Sequence, residues 1–301
     1  MKFKSGFVTV VGRPNVGKST LINAMAGEKL AITSPKPQTT RNKLMAIITE
    51  KDYQIVFIDT PGIHKPKTKL GEFMVKTASD TMSGADMILY LYDASFKTVS
   101  PADKEIIEQV AGSGASKKML ILTKIDLIKK DDMLALISEI SSIAQFDEVI
   151  PVSALKDDGV DIVLKTIINA LPEGPLYFPE DIATDSTVRE MTTEIIREKI
   201  LYFTDDEVPH GVGVEIVAFK EPKREDGVCT IEANIYCEKN SHKGILIGKN
   251  GAMLKKIGSA ARRDIERLTG YKVNLKLWVK VKEDWRNSLG MLKELGFKDE
   301  Q

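Results

Sequence analysis

Eight consecutive residues near the start of the chain have the types and spacing of a phosphate-binding loop. Residues 12–19 read Gly-Arg-Pro-Asn-Val-Gly-Lys-Ser, between an apolar run and a helical pattern. The glycines let backbone N–H groups turn toward phosphate oxygens, and the start of the helix adds positive partial charge. Lys18 can reach the β- and γ-phosphates, and the Ser19 hydroxyl can ligate Mg²⁺. The predicted nucleotide contacts in this stretch are Gly12, Arg13, Pro14, Asn15, Val16, Gly17, Lys18, Ser19 and Thr20.

Two further loops carry groups suited to Mg²⁺ and the γ-phosphate. Asp59 follows an apolar run, and its carboxylate can hold Mg²⁺ directly or through a water molecule, while the Gly62 N–H can bond the γ-phosphate. The polar loop 35–41 offers the hydroxyl of Thr40, or of Thr39, which can close over the metal. The predicted metal ligands are Ser19, Thr40 and Asp59, and the predicted nucleotide contacts after the apolar run are Asp59, Thr60, Pro61 and Gly62.

A third group of residues is suited to a purine base. Asp126 can accept hydrogen bonds from N1–H and the exocyclic amine of guanine, whereas adenine has an acceptor at N1 and no amine beside it. The Lys124 stem can cover the base, and the Ala154 N–H can bond the guanine carbonyl. The sequence therefore predicts a guanine site, with contacts from Thr123, Lys124, Asp126, Ser153, Ala154 and Leu155.

In this order the motifs resemble the translation-factor-related class of P-loop GTPases, over roughly the first 171 residues. The resemblance implies binding of GTP and GDP with Mg²⁺ and hydrolysis of GTP to GDP and phosphate. Thr123 departs from the pattern, because the class usually has Asn there to brace the phosphate loop from behind. We expect a weaker brace and unchanged guanine selectivity.

The position after Gly62 bears on the mechanism. Ras-like GTPases have there a Gln that orients the attacking water, whereas this chain has Ile63, which has no polar group. In the subgroup that it resembles, an Asn at the place of Asn15 helps to hold K⁺ beside the phosphates; alternatively, Asn15 only satisfies its own turn. We expect slow unaided hydrolysis, accelerated by K⁺, by RNA or a ribosomal partner, or by both. The predicted catalytic residues are Lys18, Thr40, Gly62 and Asn15.

The elements that must position these residues alternate between strands and helices. Alternation of this kind predicts an α/β domain with a mostly parallel sheet and helices on both faces, whose ligands collect beyond the carboxyl ends of the strands. We assign this GTPase domain to residues 1–172. The predicted strands are 6–11, 44–49, 53–58, 87–92, 119–122 and 148–152, and the predicted helices are 18–25, 70–81, 101–111, 131–144 and 160–170.

The remainder of the chain predicts a linker and a second, α+β domain. Three prolines and a glycine interrupt the helical pattern at 171–179, and we assign the linker to residues 173–186. We expect its aromatic residues, Tyr177 and Phe178, to pack on a domain surface. The second domain, 187–301, is predicted to contain helix 187–203, strands 212–219 and 228–238, helices 243–247 and 252–268, strand 272–282 and a final helix 284–295.

Between the two short helices stands Ile-Gly-Lys-Asn-Gly at 247–251. A G-x-x-G turn with a basic residue, joining two helices in this element order, is typical of a type II KH domain, which binds single-stranded nucleic acid. The glycines permit close approach of a nucleic-acid backbone. The predicted RNA contacts are Gly248, Lys249, Asn250, Gly251, Lys255, Lys256, Arg262 and Arg263.

Charge supports this prediction locally. The formal net charge of all 301 residues is zero, yet residues 239–282 contain 12 lysines or arginines and 2 acidic residues, a net charge of +10. The alternative is a solvated charged face whose lysines on the last strand pair with Glu232 and Glu238. Cys229 and Cys237 fall on the apolar face of one strand, where we expect buried free thiols.

Taken together, the GTPase motifs, Ile63, the linker and the KH pattern resemble the Era family of bacterial GTPases over the whole chain. The resemblance implies GTP-dependent maturation and assembly of the small ribosomal subunit, with the KH domain binding 16S rRNA near its 3′ end. We expect a cytoplasmic monomer; family members can associate peripherally with the inner face of the membrane, although no feature of the sequence indicates it. Two alternatives are a nucleotide-sensing RNA-binding scaffold with negligible hydrolysis and an ATPase with an RNA-binding tail.

We also expect the γ-phosphate to order residues 31–41 and the chain after Gly62, changing the interdomain face.

Overall fold

The computed structural model describes residues 2–34, 36–205, 208–224 and 226–297, and these residues form two compact units. The first unit contains the chain up to Thr33 together with Thr40–Pro66 and Met74–Asp185, and the second contains the other described residues. No helix among the described residues is long and apolar enough to cross a membrane.

The first unit is built around a six-stranded sheet in the order β2-β3-β1-β4-β5-β6. Every neighbouring pair is parallel except β2 and β3. Apolar strand residues point alternately to the two faces, so that Val10 packs in the core on one face and Val11 in the core on the other. The first residues of α2 are grouped with the second unit, and the rest of that helix belongs to the first. The elements up to residue 170 are β1 (Lys4–Gly12), α1 (Lys18–Ala26), β2 (Leu44–Glu50), β3 (Tyr53–Asp59), α2 (Lys69–Met82), β4 (Met87–Asp93), α3 (Pro101–Ala111), β5 (Lys117–Thr123), α4 (Lys130–Ile143), β6 (Glu148–Pro151) and α5 (Val160–Ala170).

Most of the predicted linker packs on this first unit. The Gln54 side chain accepts hydrogen bonds from the N–H groups of Tyr177 and Phe178 at 2.8 and 3.0 Å, and it donates to the Phe178 carbonyl at 2.8 Å. The Tyr177 ring lies 4.9 Å from the ring of Phe7. The Tyr177 ring therefore packs on the surface of the first unit, as expected, and Phe178 is held there through its backbone.

The second unit has a three-stranded sheet in the order β7-β8-β9, with β7 and β8 antiparallel and β8 and β9 parallel. Thr187 and Glu190 form a capping box that starts its first helix. Cys229 and Cys237 are buried free thiols, as expected, and burial raises the pKa of both. Its elements are α6 (Val188–Phe203), β7 (Gly213–Lys220), β8 (Val228–Cys237), α7 (Asn240–Ile247), α8 (Ala252–Thr269), β9 (Lys272–Val281) and α9 (Leu289–Glu294).

The prediction of one continuous final helix over 284–295 is wrong. A 3₁₀ turn, Trp285–Asn287, comes first, and α9 begins only after Ser288. Ser288 has an extended backbone, and its side chain accepts a hydrogen bond from the Met291 N–H, so it caps a new helix. The buried indole of Trp285 donates to the Gly211 carbonyl at 2.9 Å, which fixes the turn.

Candidate functional site

The predicted phosphate loop connects the end of β1 to the start of α1. Gly12 is required there, because a Cβ on it would lie 2.5 Å from the Leu91 carbonyl oxygen and its φ of 154° disfavours other residues. The loop closes around Lys18, whose ammonium donates to the carbonyls of Gly12 and Arg13 at 3.3 and 3.1 Å. Burial lowers the pKa of Lys18 to about 8, although the negative charge of Asp59 acts in the opposite direction.

Three oxygen-bearing side chains meet beside Lys18. The Ser19 hydroxyl donates to Asp59 Oδ2 at 2.6 Å, and the Thr40 hydroxyl lies 3.1 Å from both Ser19 Oγ and Asp59 Oδ2. Asp59 is fully buried, and its other oxygen, Oδ1, has no hydrogen-bond partner among the residues that the structure describes. Burial raises the pKa of Asp59, opposed by Lys18 and by the two hydroxyls.

This cluster fits a small hard cation, since its donors are a carboxylate and two hydroxyl oxygens, and one buried carboxylate oxygen accepts no hydrogen bond from any described residue. All three predicted metal ligands are present in it. Thr39 is not, because its hydroxyl donates to the Lys36 carbonyl at 2.7 Å. Of the two candidate threonines, Thr40 is therefore the one placed at the cluster.

The segment after Asp59 packs directly on the phosphate loop. A Cβ on Gly62 would lie 2.5 Å from the Pro14 nitrogen, so only glycine fits this approach. The Ile63 N–H donates to the Gly12 carbonyl at 3.1 Å, and the Ile63 side chain is buried in the core beside β4. Thr60, before them, donates its hydroxyl to the Val10 carbonyl at 2.8 Å. The backbone at Gly62 is thus close to the loop, while the Ile63 side chain points into the protein.

Two predicted loop contacts differ in their surroundings. Asn15 has a φ of 64°, a left-handed conformation that asparagine adopts readily, so its backbone agrees with the turn interpretation. The Arg13 guanidinium points to the start of α3, where it donates to Ser100 Oγ at 3.3 Å and to Asp103 Oδ2 at 3.1 Å. Its side chain therefore braces the loop against α3, while its carbonyl accepts from Lys18.

The predicted guanine residues gather at the ends of β5 and β6. The Thr123 hydroxyl lies 2.6 Å from the Val16 carbonyl oxygen and 3.1 Å from that of Tyr92, so it braces the phosphate loop from behind. Ser153 donates to Asp126 Oδ1 at 2.7 Å and thereby lowers the pKa of Asp126. Ala154 and the highly exposed Leu155 follow Ser153 at the same edge of the sheet.

Sequence reasoning missed one residue at this edge. Asp93, the last residue of β4, accepts a hydrogen bond from Lys124 Nζ at 2.5 Å. A carboxylate at the carboxyl end of a parallel strand was the available signal, but only the order of the strands shows that it lies next to Lys124.

The second unit presents the predicted RNA contacts on one surface, hereafter the basic surface, which consists of the loop 248–251 and the exposed side of α8. Gly248 has a φ of 72°, and a Cβ there would lie 2.7 Å from that of Met253, so the turn requires glycine. Lys256 lies 4.3 Å from the centre of the Phe203 ring. The predicted RNA contacts that are exposed on this surface are Lys249, Asn250, Lys255, Lys256, Arg262 and Arg263.

The alternative interpretation of the last strand holds for one acidic residue only. Lys276 on β9 pairs with Glu232 at 3.2 Å, as that interpretation expected. Glu238 pairs instead with Arg286, at 2.5 Å, because the 3₁₀ turn brings that arginine to the end of β8. Neither pair involves the basic surface.

Comparison with known proteins decides the family. A model described as a 50S ribosome-binding GTPase matches residues 7–124, and a KH domain model matches residues 207–286. GTPase Era of Ruminiclostridium cellulolyticum is 57% identical over 298 residues, covering 99% of each chain, and that of Alkaliphilus oremlandii is 52% identical over 297 residues, covering 99% of this chain and all of the other. The chain belongs to the Era family of GTPases.

Solved Era structures agree with this assignment. Era in complex with MgGDPNP and nucleotides 1506–1542 of 16S ribosomal RNA is 39% identical, with a TM-score of 0.92 and coverage of 98% of this chain and 99% of that one. Aquifex aeolicus Era bound to GDP·AlF₄⁻ is 38% identical, with a TM-score of 0.91 and the same coverage. The predicted fold class, a P-loop GTPase domain followed by a KH domain, is confirmed, and so is the prediction that the chain is a GTPase.

Proposed function

We propose that this Era-family protein hydrolyses GTP with Mg²⁺ and uses its KH domain to bind single-stranded 16S rRNA during assembly of the small ribosomal subunit. The observation that carries the proposal is the meeting of Ser19, Thr40 and Asp59 beside the buried Lys18. A metal-ligand set next to a buried cation is what a triphosphate with Mg²⁺ requires.

Each residue of this set has a distinct role in the proposal. Ser19, Thr40 and Asp59 would hold Mg²⁺, which neutralises charge that develops on the phosphates. Lys18 transfers its hydrogen bonds from the loop carbonyls to the β- and γ-phosphate oxygens, and the Gly62 N–H bonds the γ-phosphate. Asp126, held by Ser153, selects guanine through N1–H and the exocyclic amine.

Positioning of the attacking water needs a group other than Ile63, whose side chain is apolar and buried. We propose that K⁺ held with the help of Asn15 supplies part of the missing electrostatic stabilisation, and that bound RNA or the small subunit supplies more. Support for the Asn15 part is its place in the loop between Arg13 and Lys18. The left-handed turn interpretation is the alternative that the experiment below separates.

RNA binding is assigned to the basic surface. Its lysines and arginines can neutralise backbone phosphates, and the glycines of the loop permit close approach. The Era structure with nucleotides 1506–1542 of 16S ribosomal RNA supports the same ligand for this chain. We further propose that the protein is a cytoplasmic monomer. The family resemblance is what supports peripheral association with the membrane.

One alternative function has a specific observation in its favour. Because Ile63 cannot orient water, the chain can instead act as a nucleotide-sensing RNA-binding scaffold with negligible hydrolysis. The two functions predict different turnover under activating conditions, so a single set of rates distinguishes them.

The test measures phosphate release from GTP in K⁺ and in Na⁺ buffers, with and without small-subunit RNA. We expect release to be faster in K⁺ and faster with RNA, and Asn15→Ala to lose the K⁺ effect. A Lys18→Ala preparation measures contaminating activity, because it removes the central phosphate ligand. Turnover at that background in every condition would establish the scaffold function; equal rates in K⁺ and Na⁺ would remove only the role of K⁺.

A further inference from the structure

Asp93 forms an ion pair with Lys124, and none of the proposed nucleotide contacts involves Asp93. It is the last residue of β4, and its side chain is only 4% exposed. Oδ1 accepts hydrogen bonds from the Ser95 N–H at 3.0 Å and the Ser95 hydroxyl at 2.6 Å. Oδ2 accepts from Lys124 Nζ at 2.5 Å. Both oxygens of a buried carboxylate are therefore committed, one to its own turn and one to a lysine of the neighbouring strand end.

The sheet fixes this contact in place. Asp93 is in register with Thr123 across the parallel pair of β4 and β5, so the next residue, Lys124, begins beside the carboxylate. Lys124 has a φ of 57°, a left-handed conformation uncommon for lysine. Thr123, immediately before it, contacts the phosphate loop at Val16. Two successive residues thus connect the base side of the site to the loop and to β4.

We propose that Asp93 is a positioning residue of the guanine site, which acts by holding the Lys124 side chain extended as one wall of the base pocket. This inference rests on the proposed role of Lys124 in covering the base. A free lysine side chain samples many rotamers, and immobilising it on binding costs conformational entropy. The ion pair with Asp93 restricts the side chain before the nucleotide arrives, so that less of this entropy is lost in the complex.

The test is a double-mutant cycle on GDP affinity in the full chain. Asp93→Asn keeps the size of the side chain and the oxygen that accepts from Ser95, and it removes the negative charge that faces Lys124. We expect the dissociation constant of a fluorescent GDP to rise about tenfold, the range of a charge-assisted hydrogen bond. In a Lys124→Ala background the same substitution should change the constant less than about twofold, because the group that Asp93 positions is absent.

A control pair lies at the opposite end of β5. Asp147 also accepts from a lysine ammonium, Lys117, and from a backbone N–H, that of Lys118, at 2.9 and 2.8 Å. Asp147→Asn removes a lysine–carboxylate ion pair of the same kind, although a more exposed one, at the start of β5 and should leave GDP affinity unchanged. The ratio of GDP to IDP affinity should also be unchanged in Asp93→Asn, because the exocyclic amine is recognised by Asp126.

The outcomes separate cleanly. The inference is overturned if Asp93→Asn binds GDP as tightly as the parent, or if its weakening persists in the Lys124→Ala background. Failure of the parent chain itself to bind GDP would instead contradict the proposed function. Should Asp93→Asn not fold, Ser95→Ala removes a hydrogen bond that orients Asp93, and a weakening of about threefold that disappears with Lys124→Ala carries the same conclusion.

Discussion

Ser19 Oγ lies 2.6 Å from Asp59 Oδ2, and Thr40 Oγ1 lies 3.1 Å from the same carboxylate oxygen. The three residues come from the start of α1, the loop before β2 and the end of β3. Their convergence means that the arrangement of a metal site exists in the fold itself. Binding of a cation then requires exchange of hydrogen bonds rather than assembly of new ligands.

The first prediction uses the two neighbouring threonines. Thr40→Ala removes a hydroxyl from the metal cluster, so Mg²⁺-dependent GTP affinity and turnover should both fall, each about tenfold or more. Titration of GTP binding with and without Mg²⁺ measures this, and without Mg²⁺ the variant and the parent should converge. Thr39→Ala is the matched control, because the Thr39 hydroxyl donates to the Lys36 carbonyl and not to the metal cluster. Equal losses in the two variants would contradict the assignment of Thr40.

The second prediction concerns pH. Burial lowers the pKa of Lys18 to about 8 in the free protein, whereas phosphate oxygens around its ammonium raise that pKa in the complex. Above pH 8 the free lysine is therefore largely neutral, and binding of GDP must take up a proton. Affinity should be level at about pH 7 and should fall as the pH rises through 8.

Calorimetry in buffers of different ionisation enthalpy measures the proton directly. Proton uptake on GDP binding should be close to zero at about pH 7. It should be near half a proton at pH 8, because the lowered pKa of Lys18 in the free protein is about 8. Measurements stay at or below about pH 8.5, so that guanine itself remains protonated at N1. No net uptake at pH 8 would show that Lys18 keeps its proton in the free protein.

Some parts of the site could be predicted from the sequence because they are local. The phosphate loop is one contiguous stretch whose backbone supplies the contacts, and Asp126 stands shortly after an apolar strand that ends at Thr123. The choice between Thr39 and Thr40 was not predictable, because it depends on how the loop before β2 meets the end of β3. The partnership of Asp93 and Lys124 depends on the order of the strands, which residue types along the chain do not specify.

The same distinction applies to the second unit. The G-x-x-G turn is local, and both of its glycines have a positive φ. The final helix was predicted too long, because Ser288 was counted within a helical pattern although it can also cap one. The pairing of Glu238 with Arg286 follows from that break and was therefore missed as well.

The third prediction tests the brace behind the phosphate loop. Thr123→Val keeps the shape of a buried side chain and removes the hydroxyl that contacts the Val16 and Tyr92 carbonyls. The free energy of unfolding should fall by about 1–2 kcal/mol, because a buried hydrogen bond is lost. GDP should also dissociate several-fold faster, since the loop is freer, while the preference for GDP over ADP is unchanged. Thr123→Asn introduces the residue that is usual in the class, and GDP should dissociate from this variant no faster than from the parent. Faster release of GDP from Thr123→Asn would contradict the role of residue 123 as a brace.

The fourth prediction separates RNA contacts from solvated charge. Lys249 lies in the loop of the basic surface and is exposed. Lys220 is also exposed, at the end of β7, on the opposite edge of the sheet from β9. If Lys249 neutralises a phosphate, Lys249→Ala should weaken binding of a single-stranded RNA from the 3′ end of 16S rRNA severalfold at low salt. The slope of log affinity against log salt concentration is negative, and its magnitude should decrease by about 0.7, the value for one phosphate contact on a single strand. Lys220→Ala removes the same formal charge and should leave both quantities unchanged, because its ammonium is not on the basic surface. Equal effects of the two substitutions would mean that the RNA responds only to total charge, and the loop would then lose its assigned role.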